Sequence, residues 1–190
     1  MSAFQKSALF IDGVHLHFAA KALGFDIDFK RLLAEFAKRG SVVRAYYYTV
    51  FQDEGYSSIR PLTDWLSYNG FTVVTKPAKH HTEGEGRRTF KRNIGVELCV
   101  DAMGIARHVD QIILFSGDGD LRRLVEAIQR RGCQVTVVSS LRSSGPIIAD
   151  ELRRQADEFL ELDDLKVVIG RVLPSGRGTI AEDVRERAQD

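Results

Sequence analysis

Residues 113–128 read ILFSGDGDLRRLVEAI. The apolar run ending at Phe115 passes directly into Ser116-Gly117-Asp118-Gly119-Asp120, and a helical pattern follows without a spacer. A short apolar run bounded by glycine is the mark of a buried strand, so this stretch is a strand that feeds a helix through two acids. Mutual repulsion and desolvation both count against acids in that place. Two explanations stand side by side: an acid caps the helix, or a positive charge belongs at the mouth of the strand. Both can hold at once.

Working outward, the same rhythm fills most of the chain. Strands are expected at residues 7–12, 42–51, 71–76, 111–116 and 133–140. Helices are expected at 14–24, at 28–40 with Asp28 as N-cap, at 58–70, at 94–106 and at 119–131. Helices between short apolar strands imply a parallel sheet covered on both faces. The expected fold class is α/β, a three-layer α/β/α sandwich with a central, mainly parallel sheet. Residues 77–93 are polar and glycine-containing and read as an exposed loop. One domain over residues 1–165 is expected, followed by a C-terminal strand or charged tail over 166–190.

With 44% hydrophobic and 28% charged residues in 190, the composition is that of a soluble globular protein. A net charge of +1 leaves any nucleic-acid contact to local patches. The two cysteines, Cys99 and Cys133, lie in apolar periodic segments and read as reduced core residues. No apolar run approaches the ~20 residues of a membrane span, and the N-terminus does not read as a signal peptide. The cytoplasm is the default compartment.

Acids recur where an open parallel sheet binds its ligands, outside the carboxyl ends of strands where strand order reverses. Asp12 ends the first strand in LFIDG, and Asp118 ends the strand of LFSGDGD, with Asp120 two residues on. Glu97 and Asp101 lie four residues apart on one face of an otherwise apolar helix. Taken singly, each has an ordinary reading: Asp12 as turn chemistry with Gly13, Asp118 or Asp120 as a cap, Glu97 and Asp101 as a solvated face. Taken together, they would form a carboxylate cluster whose repulsion a divalent cation relieves. All-oxygen ligation selects Mg²⁺ or Mn²⁺, and such ions activate water and stabilise the leaving oxygen of a phosphodiester.

The segments ALFIDGVHL, IGVELCVDAM, LFSGDGDLRRLVEAIQRRGCQVTVVS and ELRRQADEFLEL, in that order, resemble the NYN domain family, in particular its LabA-like branch among the PIN-like nucleases. The resemblance implies a PIN-like sandwich with a negatively charged pocket, and Mg²⁺- or Mn²⁺-dependent cleavage of RNA. It places the catalytic acids on Asp12, Glu97, Asp118 and Asp120, the metal ligands on these and Asp101, and the small hydroxyl residue before the acidic pair on Ser116. Three positions depart from the family pattern: His15 stands for the asparagine of IDGxNL, Glu97 for an aspartate, and Leu121 for an aromatic.

Substrate contacts are expected from His15, Ser116 and Arg122, and from Lys91 and Arg92 at the end of the basic segment 76–92. Tyr46, Tyr47 and Tyr48 alternate faces, so packing is favoured over base stacking. His80-His81 reads as surface histidines rather than ligands. The expected partner is RNA, single-stranded or structured, with no membrane; small PIN-like nucleases often pair, which allows a homodimer.

The expected function is a metal-dependent ribonuclease; the rival is a catalytically weak RNA-binding or regulatory module, kept open by His15 and Glu97. A phosphatase with an aspartate nucleophile is disfavoured because IDGVH lacks the DxD pattern. Dinucleotide binding is disfavoured because no GxGxxG follows the first strand and no P-loop occurs.

Overall fold

The computed structural model describes residues 5–51, 56–77, 79–83, 87–91, 94–143, 145 and 147–171. In chain order the elements are β1 (Lys6–Asp12), α1 (Gly13–Ala22), α2 (Phe29–Ala37), β2 (Ser41–Phe51), α3 (Tyr56–Tyr68), β3 (Phe71–Pro77), β4 (Lys79–Glu83), β5 (Arg87–Lys91), α4 (Gly95–Ile105), β6 (Gln111–Phe115), α5 (Arg122–Gln129), β7 (Gln134–Ser139), α6 (Asp150–Gln155), β8 (Glu158–Glu161) and α7 (Leu162–Ile169). A 3-10 turn, Gly119–Leu121, leads into α5.

Six strands form one parallel sheet in the order β3-β2-β1-β6-β7-β8. The central strands read as continuous apolar runs because both of their faces are covered. In β1, Ala8 and Phe10 face one core with Leu98 and Ala102 of α4, Leu124, Val125 and Ile128 of α5, and Leu152 of α6. Leu9 and Ile11 face the other with Leu16 of α1, Leu32 and Phe36 of α2, Leu66 of α3 and Leu165 of α7. The result is the three-layer α/β/α sandwich read from the sequence.

Chain direction explains where a ligand can go. From β1 the chain leaves through α1 and α2 on one face to reach β2; from β6 it leaves through α5 on the other face to reach β7. Strand order therefore reverses between β1 and β6, which opens a crevice at their carboxyl ends.

The tyrosine triplet packs as expected. Tyr48 is fully buried and Tyr47 nearly so. Tyr46 stacks on Phe10 with centroids 4.7 Å apart, whereas Tyr47 meets Phe29 edge-on at 5.4 Å on the opposite face. Cys99 and Cys133 are free thiols, partly and fully buried, and among the described residues no helix is long and apolar enough to cross a membrane.

The segment 77–93 is not simply a loop: β4 and β5 pair antiparallel, with His80 opposite Phe90. A ribbon outside the main sheet satisfies its backbone by ladder pairing alone, so it need not show the apolar alternation that marks a core strand. The stretch 150–169 contains α6, β8 and α7, so residues 166–169 are helical, where a strand or charged tail was expected. The domain boundary drawn after residue 165 falls inside α7, whose Leu162, Leu165 and Ile169 are buried.

Phe10 lies at the centre of the sheet, fully buried and clustered with the Tyr46 and Tyr48 rings. Phe10→Ala should lower the free energy of unfolding in urea by about 3–5 kcal/mol; a loss below about 1 kcal/mol would contradict this packing.

Candidate active site

The acids at the crevice are held by local hydrogen bonds that their positions dictate. Asp12 is the N-cap of α1: its Oδ1 accepts from the His15 backbone N–H at 3.1 Å. Asp118 caps the 3-10 turn, with Oδ1 accepting from the Asp120 N–H at 3.0 Å. The capping reading thus holds for Asp118, whereas Asp12, read as turn chemistry with Gly13, caps α1. Between them Ser116, fully buried, accepts from the Asp118 N–H at 3.3 Å, and its hydroxyl favours the ionised Asp12 carboxyl. Burial pushes the Asp12 carboxyl above the ordinary range, and the Asp118 charge pushes the same way; the N–H groups of His15 and Val14 and the Ser116 hydroxyl pull against them.

His15 packs over this pair. Its Nε2 lies 3.0 Å from Ser139 Oγ at the end of β7, and burial lowers its pKa to about 4 against the opposing pull of Asp118. The ring is therefore a neutral imidazole at pH 7, reaching across the end of β6. The glycines of SGDG are spacers for this shell. A Cβ on Gly117 would run into the Ile147 carbonyl oxygen and stand 2.5 Å from His15 Cε1, and the Gly117 carbonyl accepts from the Ala149 N–H at 2.9 Å. A Cβ on Gly119 would stand 2.5 Å from Glu151 Oε1 of α6.

The two acids of α4 are turned toward the sheet on its other flank. Asp101 Oδ2 accepts from the Tyr48 hydroxyl at 2.9 Å, and Tyr48 is the register partner of Asp12. Glu97 Oε1 lies 2.6 Å from Lys76 Nζ near the end of β3, and the Lys76 ammonium holds the Glu97 carboxyl below its ordinary range. Among the described residues Glu97 Oε2 is buried without a hydrogen-bond partner.

The expected site residues therefore divide. Asp12, Asp118, Ser116 and His15 form one connected group. Glu97 and Asp101 point to Lys76 and Tyr48. The Asp120 residue is exposed, and its backbone N–H serves the cap of Asp118. Arg122 is half-buried and donates to Gln155 Oε1 at 3.4 Å, which ties it to α6. The Lys91 side chain and the whole of Arg92 lie outside the described residues. Lys76 and Tyr48, absent from the expected site, are the partners that orient the α4 acids; a buried tyrosine on β2 needs a partner for its hydroxyl, and that need was the available signal.

A hard divalent cation suits this donor set. The candidate ligands are all carboxylates, the ionisation of Asp12 is opposed by burial and by a neighbouring charge, and one buried carboxylate oxygen on Glu97 has no partner among the described residues. Among the described residues, no three His, Cys, Asp or Glu side chains already stand together as a metal cage; Lys76 and Tyr48 engage the α4 acids.

The low pKa of His15 has a consequence for stability. The folded form resists protonation while the unfolded form takes a proton near pH 6.5. Stability contributed by neutral His15 is complete above that pH and lost as pH falls toward 4. Between pH 7 and 4 the wild type should lose on the order of 2–3 kcal/mol relative to His15→Asn. Parallel denaturation curves for the two proteins across this range would contradict a buried neutral ring.

The NYN domain family matches residues 6–163. The low amplitude and bright protein LabA of Synechococcus elongatus is 37% identical over 173 residues, which are 88% of this chain and 90% of that protein. A crystal structure of a protein of unknown function from Vibrio parahaemolyticus shares 29% identity and a TM-score of 0.72, covering 86% of this chain and 96% of its own. The chain belongs to the NYN domain family, in its LabA-like branch, and is a nuclease-type module of the PIN-like kind.

Proposed function

We propose that the protein is a metal-dependent ribonuclease that hydrolyses phosphodiester bonds of RNA at the crevice between β1 and β6. The observation that carries this reading is the Asp12–Asp118 pair, two acids held at the ends of adjacent central strands although burial and mutual charge oppose the ionisation of Asp12. Asp12 and Asp118, joined by Glu97 and Asp101 of α4, would hold Mg²⁺ or Mn²⁺, with Asp120 at the rim. A cation there supplies an activated water and stabilisation of the leaving oxygen.

The chain's own groups have separate tasks. Ser116 fixes the Asp12 carboxylate, and the N–H groups that cap Asp12 and Asp118 hold each acid in one orientation. His15, neutral and anchored on Ser139, offers a ring edge over the crevice without adding charge, so it can orient a water or a substrate hydroxyl. The β4–β5 ribbon carries Lys79, Arg87, Arg88 and Lys91 in its sequence and precedes α4. Basic groups there would bind phosphates without reading bases, giving affinity that falls steeply with salt.

One set of contacts favours the second reading, a catalytically weak RNA-binding module: the α4 acids are engaged by Lys76 and Tyr48 rather than gathered with Asp12. Incubation of purified protein with a mixed RNA pool in Mn²⁺, Mg²⁺ or EDTA separates the two. Cleavage should require the cation and fall at least 100-fold in Asp118→Asn, roughly the loss expected when a principal electrostatic stabiliser is removed. Equal trace activity in wild type and variant, with RNA still bound, would establish the binding module instead.

A further inference from the structure

Lys76 stands opposite Val50 in the β2–β3 register, two residues beyond Tyr48, the partner of Asp12. The ends of β1, β2 and β3 thus present Asp12, Tyr48 and Lys76 along one edge of the sheet, beneath the α4 acids. The ammonium of Lys76 lies 2.6 Å from Glu97 Oε1, with the two side chains 33% and 35% exposed. An ammonium is a compact point charge and here occupies the cationic position beside a proposed ligand. A pair serving only to hold β3 to α4 would be expected to satisfy both carboxylate oxygens, yet among the described residues Glu97 Oε2 is buried without a hydrogen-bond partner. The carboxylate is half used.

We infer that Lys76 is an internal counter-ion that competes with the divalent cation for Glu97 and so sets the affinity of the site. This rests on the metal-dependent reading above and adds to it the residue that determines how much cation the site needs. With Lys76 in place Glu97 is neutralised and held by β3. When Glu97 joins Asp12 and Asp118 at a cation, its contact with Lys76 is given up. Lys76 is a positioning residue in this scheme, acting on the site through Glu97.

Calorimetric titration of the full chain with Mn²⁺ tests the inference on wild type, Lys76→Gln, Lys76→Arg, Glu97→Gln and the Lys76→Gln/Glu97→Gln double variant. Loss of a partly exposed ion pair should tighten Mn²⁺ binding of Lys76→Gln about two- to fivefold. Lys76→Arg, which keeps the charge, should stay near wild type, and the gain should vanish in the Glu97→Gln background. Unchanged or weaker binding by Lys76→Gln, with wild type still binding Mn²⁺, would overturn the inference and leave the metal site standing. A gain that persists without Glu97 would also overturn it, since Lys76 would then act only through its charge at a distance. Absence of Mn²⁺ binding by every one of these proteins would remove the metal-dependent reading and this inference together.

Discussion

The burial of the Asp12 carboxyl at the end of β1, beside Asp118, organises the functional end of this molecule. The fully buried Ile11 and Phe115 bring adjacent central strands into register, so the chain delivers an acid at the end of each. The fold answers with fixed dipoles: the first N–H groups of α1 on Asp12, the N–H of Asp120 on Asp118, and the hydroxyl of Ser116 between them. These are the orphan donors that any helix start must satisfy, so capping and charge stabilisation are the same contacts. They offset part of the desolvation of Asp12 and leave its carboxyl above the ordinary range. A site kept at such electrostatic cost is a functional candidate on physical grounds.

Around the acids the packing is tight where a ligand shell must be rigid. Gly117 lets the 147–149 backbone and the His15 ring close over the end of β6, and Gly119 admits Glu151 of α6. His15 in turn bridges to Ser139, tying α1 to the end of β7. On the opposite flank Tyr48 and Lys76 hold the α4 acids by single, polar contacts. One half of the crevice is therefore held by backbone and by the His15–Ser139 contact, and the other by the side-chain pairs of α4 with β2 and β3.

Much of this was legible in the residues. The apolar runs of β1, β6 and β7 announce a sheet buried on both faces, and the passage from Phe115 into Ser116 and Asp118 marks the strand end at the switch point. Asp28 as an N-cap is equally local, and its carboxylate accepts from the Lys30 and Arg31 N–H groups. What escaped reading depends on partners distant in sequence. β8 has four residues, Glu158–Glu161, too few for a period to register, and it is fixed by pairing with β7. Spacing put Glu97 and Asp101 on one helical face; it could not supply Lys76 or Tyr48, which arrive from different strands. His15 read as a substituted asparagine, while its bond to Ser139 spans 124 positions and follows only from the fold.

The proposed cation site requires Asp12 to be held at the expense of stability, and Asp12→Asn measures that directly. Asparagine is an equivalent cap, so the variant keeps the α1 contacts and loses the buried charge. The raised pKa makes the acid's favourable contribution complete below its unfolded value of 3.8 and lost as pH rises through the folded value. In EDTA, urea denaturation should therefore find Asp12→Asn more stable than wild type at pH 7, with the difference closing as pH falls below 4. Mn²⁺ should then stabilise the wild type at pH 7 and leave the variant unmoved. A variant that is less stable than wild type at pH 7 in EDTA, or that gains as much from Mn²⁺, would contradict the claim.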